Sequence, residues 1–175
     1  MSYEKIPGLL VITGLMASGK STVAQLLAER FTKSVHLRGD AFRRMIVNGA
    51  VEMSAQASDE AMNQLKLRYD ISIQVALAYL KAGFRVVLQD NYYGEALSYI
   101  MSGFRSVNTR LFVLNPTLET IKRREAQRNK NGYHLYDIQA LYNAFQRTTP
   151  RLGCWIDNSL QSPEETVIEI LKQMN

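Results

Sequence analysis

A chain of 175 residues with 46% hydrophobic and 21% charged residues is long enough to bury one core and too apolar to be disordered. No apolar run approaches the roughly 18 residues that a membrane-spanning helix needs, and the one cysteine, Cys154, excludes an intramolecular disulfide or a cysteine metal cage. The net charge of +5 is local: Lys122, Arg123, Arg124, Arg128 and Lys130 against Glu125 hold +4 of it, which suits a small polyanion better than a long nucleic acid.

The opening Met1-Ser2-Tyr3-Glu4-Lys5 has no basic stretch leading into an apolar run, so the expectation is a cytoplasmic protein without a secretory signal. Residues 8–13 are too continuously apolar to alternate and predict a strand buried on both faces. A helix over 20–32, a short strand over 34–38 and a helix over 41–48 follow. Residues 59–82 form the longest predicted helix, with Met62, Leu65, Tyr69, Ile73, Ala76 and Leu80 at three- and four-residue steps. Strands are predicted at 85–90 and 108–114, and Asn115-Pro116 reads as a helix start with proline in the first turn. A helix over 136–148 and a short strand over 155–157 come next. Ser162-Pro163-Glu164-Glu165 has the spacing of a capping box for the closing helix. Five strands interleaved with helices predict an α/β three-layer sandwich: a parallel sheet with helices on both faces, in one domain over 1–175. In such sheets ligands bind at the carboxyl ends of the strands.

Gly14-Leu15-Met16-Ala17-Ser18-Gly19-Lys20-Ser21 matches G-x-x-x-x-G-K-[ST] between a buried strand and a helix. Glycines at both ends let the backbone curl so that successive N–H groups face phosphate oxygens, and the helix beginning near Lys20 adds its positive end. The candidate nucleotide-binding residues are Gly14, Ala17, Ser18, Gly19, Lys20, Ser21 and Thr22. Lys20 would reach the β- and γ-phosphates, and Ser21 would ligate Mg²⁺. The motif itself leaves ATP and GTP, kinase and switch, equally open.

Asp40 follows the second strand at the entrance of a helix, and Arg43 lies three residues on, on the same face. A carboxylate there could take an acceptor hydroxyl's proton and the arginine could hold an acidic group of that acceptor; equally, Asp40 could cap the helix with Arg43 as its ion-pair partner. The P-loop followed about 20 residues later by Arg38-Gly39-Asp40-Ala41-Phe42-Arg43 resembles the small P-loop kinases. Adenylyl-sulfate kinases and the kinase domain of phage polynucleotide kinase share the Asp-x-x-Arg arrangement, and chloramphenicol phosphotransferase and the gluconate kinases share the layout. The resemblance implies MgATP-dependent phosphorylation of a hydroxyl, with Asp40 as base or acceptor anchor.

Asp90 ends the third strand, where it could hold Mg²⁺ through water, bind the acceptor, or simply close a turn. Arg124 and Arg128 are four apart on one helical face, with Arg123 turned away. By the same resemblance an Arg-x-x-x-Arg pair opens a mobile lid, placed at about 123–136, that closes over the nucleotide and stabilises the transferring group. The expected catalytic set is thus Lys20, Asp40, Arg124 and Arg128, with Asp40, Arg43 and Asp90 toward the acceptor and Ser21 and Asp90 toward the metal. A small-molecule acceptor is the leading expectation, with no membrane partner. A polynucleotide 5′-hydroxyl, or a regulatory role through a partner protein, are the alternatives.

Overall fold

The computed structural model describes residues 8–128 and 132–174. Its centre is a five-stranded sheet of β1 (Leu9–Gly14), β2 (Ser34–Arg38), β3 (Arg85–Gln89), β4 (Thr109–Leu114) and β5 (Cys154–Ile156), in the order β2-β3-β1-β4-β5 with every pairing parallel. The central strand is buried throughout, so its side chains divide between two cores. Leu9 and Val11 join Val86, Leu88, Leu111 and Val113 on one face; Leu10 and Ile12 join Val87, Phe112 and Leu114 on the other. This is why residues 8–13 read as one unbroken apolar run.

Helices cover both faces, as the sandwich expectation required. The Leu10 side is roofed by α1 (Lys20–Ala28) and α7 (Pro163–Gln173) through Val23, Leu27, Val167 and Ile170. Against the Leu9 side lie α3 (Asp59–Lys81), α4 (Glu95–Ser102), α5 (Leu118–Ala126) and α6 (Ile138–Thr148), through Tyr69, Ala76, Leu97, Ile100, Ile121 and Phe145. The short α2 (Asp40–Arg44) joins β2 toward α3. Among the described residues no helix is long and apolar enough to cross a membrane.

Several boundaries differ from expectation, each for a local reason. Helix α1 stops at Ala28 rather than 32 because the chain tightens into three-residue turns, with the Arg30 and Phe31 amides donating to Leu27 and Ala28 carbonyls. Helix α2 ends at Arg44 instead of 48. Pro116 is not in the first turn of α5: Thr117 is the cap, its side chain accepting from the Thr120 amide, and the proline precedes it. Helix α4 is absent from the sequence-based expectation. It has eight residues and buries only Leu97 and Ile100, too short a stretch for a helical period to show. The capping box of α7 is present as expected, with the Ser162 side chain accepting from Glu165 N–H and Glu165 reaching back to Ser162 N–H at 2.8 Å.

Candidate active site

The carboxyl ends of β1, β2, β3 and β5 converge on one edge of the sheet, and the P-loop leaves β1 there. Gly14 takes φ 144° and sits so close to β4 that an added Cβ would meet the Leu114 carbonyl oxygen at 2.3 Å. Ala17 is held at φ 63°, a left-handed conformation that costs a side-chain-bearing residue and persists where surrounding structure imposes it. Gly19 follows at φ 98° as the residue before α1. The loop is therefore curled in the way an anion-binding nest requires. The Ser18 hydroxyl oxygen is buried without a hydrogen-bond partner, and neither Ser18 nor Gly14 is among the residues lining the cleft described below.

Other elements brace the loop from outside. Arg124 on α5 donates to the Ser18 carbonyl at 3.2 Å and to the Asn158 carbonyl at 2.8 Å, and Asn158 Nδ2 donates to the same Ser18 carbonyl at 3.0 Å. The Tyr133 hydroxyl donates to the Met16 carbonyl at 2.8 Å, tying the chain after α5 to the other flank. Glu125, buried on α5, receives Arg128 Nη1 at 2.9 Å and the Gly132 amide. Of the expected lid over 123–136, residues 129–131 lie outside the described residues.

Lys20 is itself buried, its Nζ donating to the Leu15 carbonyl at 2.7 Å. Burial pushes its pKa down to about 7; Asp90 and Asp40 oppose the shift and Arg128 adds to it. A cleft of about 590 Å³ opens over these groups, lined by Ala17, Gly19, Lys20, Ser21 and Thr22 of the loop. Asp40, Asp90, Arg124 and Arg128 border the same cleft. Arg123 does not line it.

The two carboxylates are set differently. Asp40 heads α2 with Arg44 Nη2 at 2.6 Å and Arg38 Nε at 3.6 Å, so its partners are not Arg43. Arg43 pairs instead with Glu52 at 3.5 Å and faces a second cleft, which separates the Asp-x-x-Arg pair expected to act together. Asp90 is buried just past β3, beside Arg68 of α3, whose Nε lies 3.0 Å from its Oδ2. Its Oδ1 accepts from the Asn91 amide at 2.8 Å. Burial raises the Asp90 carboxyl above the usual carboxylate range; Arg68 and the Asn91 amide oppose this, and nearby Asp40 adds to it. The approach depends on Gly39, where a Cβ would stand 2.4 Å from Asp90 Oδ2.

Ser21 Oγ points at Gln89 Oε1, 3.2 Å away at the end of β3. Among the described residues no group of three or more His, Cys, Asp or Glu forms a metal cage. A hydroxyl at Ser21 and the carboxylates of Asp90 and Asp40 on one cleft fit Mg²⁺ of the kind bound largely by phosphates and water.

The second cleft, of about 450 Å³, shares Met16 and Asn91 with the first. Arg68, Tyr93 and Tyr136 line it. Sequence reasoning did not find Arg68, Gln89, Asn158 or Glu125. Each comes from an element remote from the motif it serves, and only the tertiary fold brings them in.

Residues 9–148 match the model of a family described as AAA domain. The chain belongs to that family. Its fold is that of the small P-loop kinases. It is similar to the APS kinase of Mycobacterium tuberculosis, solved in complex with AMPPNP and APS, at TM-score 0.70 and 16% identity over 95% of this chain and 96% of that one. The tunicamycin resistance protein of Deinococcus radiodurans is similar at TM-score 0.70 and 15% identity, over 95% of each chain. Shikimate kinase from Acinetobacter baumannii, solved with shikimate, gives 0.65 and 15% over 99% of this chain and 95% of that one. At such identities the likeness is one of fold. No curated protein matches.

Proposed function

We propose that the protein is an ATP-dependent phosphotransferase that moves the γ-phosphoryl group to a hydroxyl of a small-molecule acceptor. The observation that carries this reading is the side-by-side placement of two clefts. One is built around the P-loop and carries Asp40 and Asp90 on its lining, the other is open to a second ligand, and Met16 and Asn91 line both. A switch or partner-driven regulator needs only the first.

In this reading the P-loop amides and Lys20 hold the phosphate chain. The acceptor oxygen forms a bond to the γ-phosphorus as the bond to the β–γ bridging oxygen breaks, and ADP leaves with that electron pair. Asp40, held in place by Arg44, takes the hydroxyl proton. Lys20 in its charged form and Arg128 offset the negative charge on the transferred group, while Arg124 keeps the loop closed from behind. Ser21 and Asp90 would hold Mg²⁺, which would supply positive charge against the β- and γ-phosphates. On the described side of the expected lid, the Tyr133 hydroxyl bonded to the Met16 carbonyl would help to seat it over the nucleotide.

The test is labelled-phosphate transfer from ATP and from GTP to sugars, aryl glycosides, nucleosides and 5′-hydroxyl oligonucleotides. Lys20→Ala should lose nucleotide binding. Asp40→Asn should retain it while transfer falls by about 10²–10⁴-fold, the usual worth of a general base. Full transfer by Asp40→Asn would remove Asp40 as the base, and transfer to oligonucleotides alone would overturn the small-molecule reading.

A further inference from the structure

We infer that the second cleft selects an uncharged acceptor, an alcohol carried on an aromatic or otherwise apolar body, and discriminates against acidic sugars and nucleic-acid ends. The inference rests on the phosphotransferase reading and adds the chemistry of the acceptor to it.

Two observations carry it. The first is the wall. Met53, Met62, Leu65, Tyr69, Tyr93 and Tyr136 line the cleft, a predominantly apolar and aromatic surface of the kind that encloses small organic ligands. Two of the rings are fixed from behind: Tyr69 packs edge-on to Tyr92 at 5.2 Å, and Tyr93 edge-on to Phe145 at 6.2 Å. Rings held this way lose little entropy when a ligand packs against them. Burial pushes the Tyr93 phenol up to about 12, so it remains a neutral hydroxyl at physiological pH.

The second is charge. Both arginines that line the cleft already face carboxylates, Arg43 with Glu52 at 3.5 Å and Arg68 with Asp90 at 3.0 Å. Glu52 and Glu95 line it too. Among the described residues, an acceptor carboxylate or phosphate placed here would meet two glutamates, and the basic groups it would meet already face carboxylates, His134 with Glu52 at 3.4 Å included, at the cost of desolvating its own charge. An uncharged body meets neither obstacle. Its hydroxyl can point to the border where Asn91 and Met16 belong to both clefts.

Binding to the intact protein tests this with three probes that share sugar hydroxyls: 4-nitrophenyl β-D-glucoside, methyl β-D-glucoside and D-gluconate, each titrated by calorimetry. The aryl glucoside should bind at least tenfold tighter than methyl glucoside, with gluconate weakest. Met62→Lys, a change at a half-exposed position on α3 where folding is not at stake, should erase the aryl advantage. Gluconate or methyl glucoside binding as tightly, undetectable aryl glucoside binding, or an aryl advantage unchanged in Met62→Lys would each overturn the inference. MgADP titrated into the same preparation reports separately on the phosphotransferase reading. Normal MgADP binding without aryl preference sinks the acceptor class alone, whereas absent MgADP binding sinks both.

Discussion

Gly39 is the residue on which the geometry of the two carboxylates turns. Its backbone is ordinary, but the space beside it is taken by Asp90, which is buried and ion-paired and cannot swing aside. Gly39→Ala should cost about 1–3 kcal/mol, the usual penalty of overpacking, seen as a lower denaturant midpoint with unchanged slope. Lys20 makes a different prediction. With its pKa near 7 in the free protein, it is charged below neutrality and loses its proton as the pH rises. Bound phosphates favour the charged form, so nucleotide binding should weaken from pH 6 to pH 9 and should take up a proton at pH 8. Calorimetry in two buffers of different ionisation enthalpy measures that proton, and the uptake should shrink toward zero at about pH 5.5, where Lys20 is already charged. The loop containing Lys20 was legible because its glycines, lysine and serine are consecutive. Arg68 was not, because nothing near it in the chain points to Asp90, 22 residues away.

At the level of elements, what could be read depended on length and on local capping. The 23-residue α3 repeats its apolar positions often enough to be found, whereas α4 does not. Ser162 and Glu165 announced α7 because a capping box is made entirely of neighbours. Ser162→Ala should cost about 1 kcal/mol, the typical worth of such a cap, read from thermal or urea unfolding. Proline misled at α5: its preference for a first turn is real, but Thr117 offered a better cap one residue later. Of the basic residues of α5, Arg124 lines the P-loop cleft and Arg123 does not; Arg128 lines it from just past the end of the helix.

Across the whole molecule, stability should depend on acid through His36 in the edge strand β2. Burial, helped by Arg38, pushes its pKa from 6.5 down to about 4, although Asp40 opposes this; Nε2 is enclosed without a hydrogen-bond partner. Between those values the unfolded chain binds a proton that the folded one refuses, so stability should fall as pH drops from 6.5 to 4. His36→Gln should flatten that limb of an acid-unfolding curve while leaving the neutral plateau nearly unmoved. The sheet as a class followed from alternating apolar runs and helical periods, but the order β2-β3-β1-β4-β5 did not. Parallel strands pair through crossovers, and which strand neighbours which is settled by long-range packing rather than by any window of sequence.

Met16 gives the arrangement a final consequence. Its carbonyl is held by Tyr133, and the residue belongs to the lining of both compartments. A partition has two sides: whatever presses on it from the phosphate side alters the room left on the other. In the phosphotransferase reading the two ligands share that wall, and by thermodynamic reciprocity whatever factor one changes in the other's affinity is returned in its own.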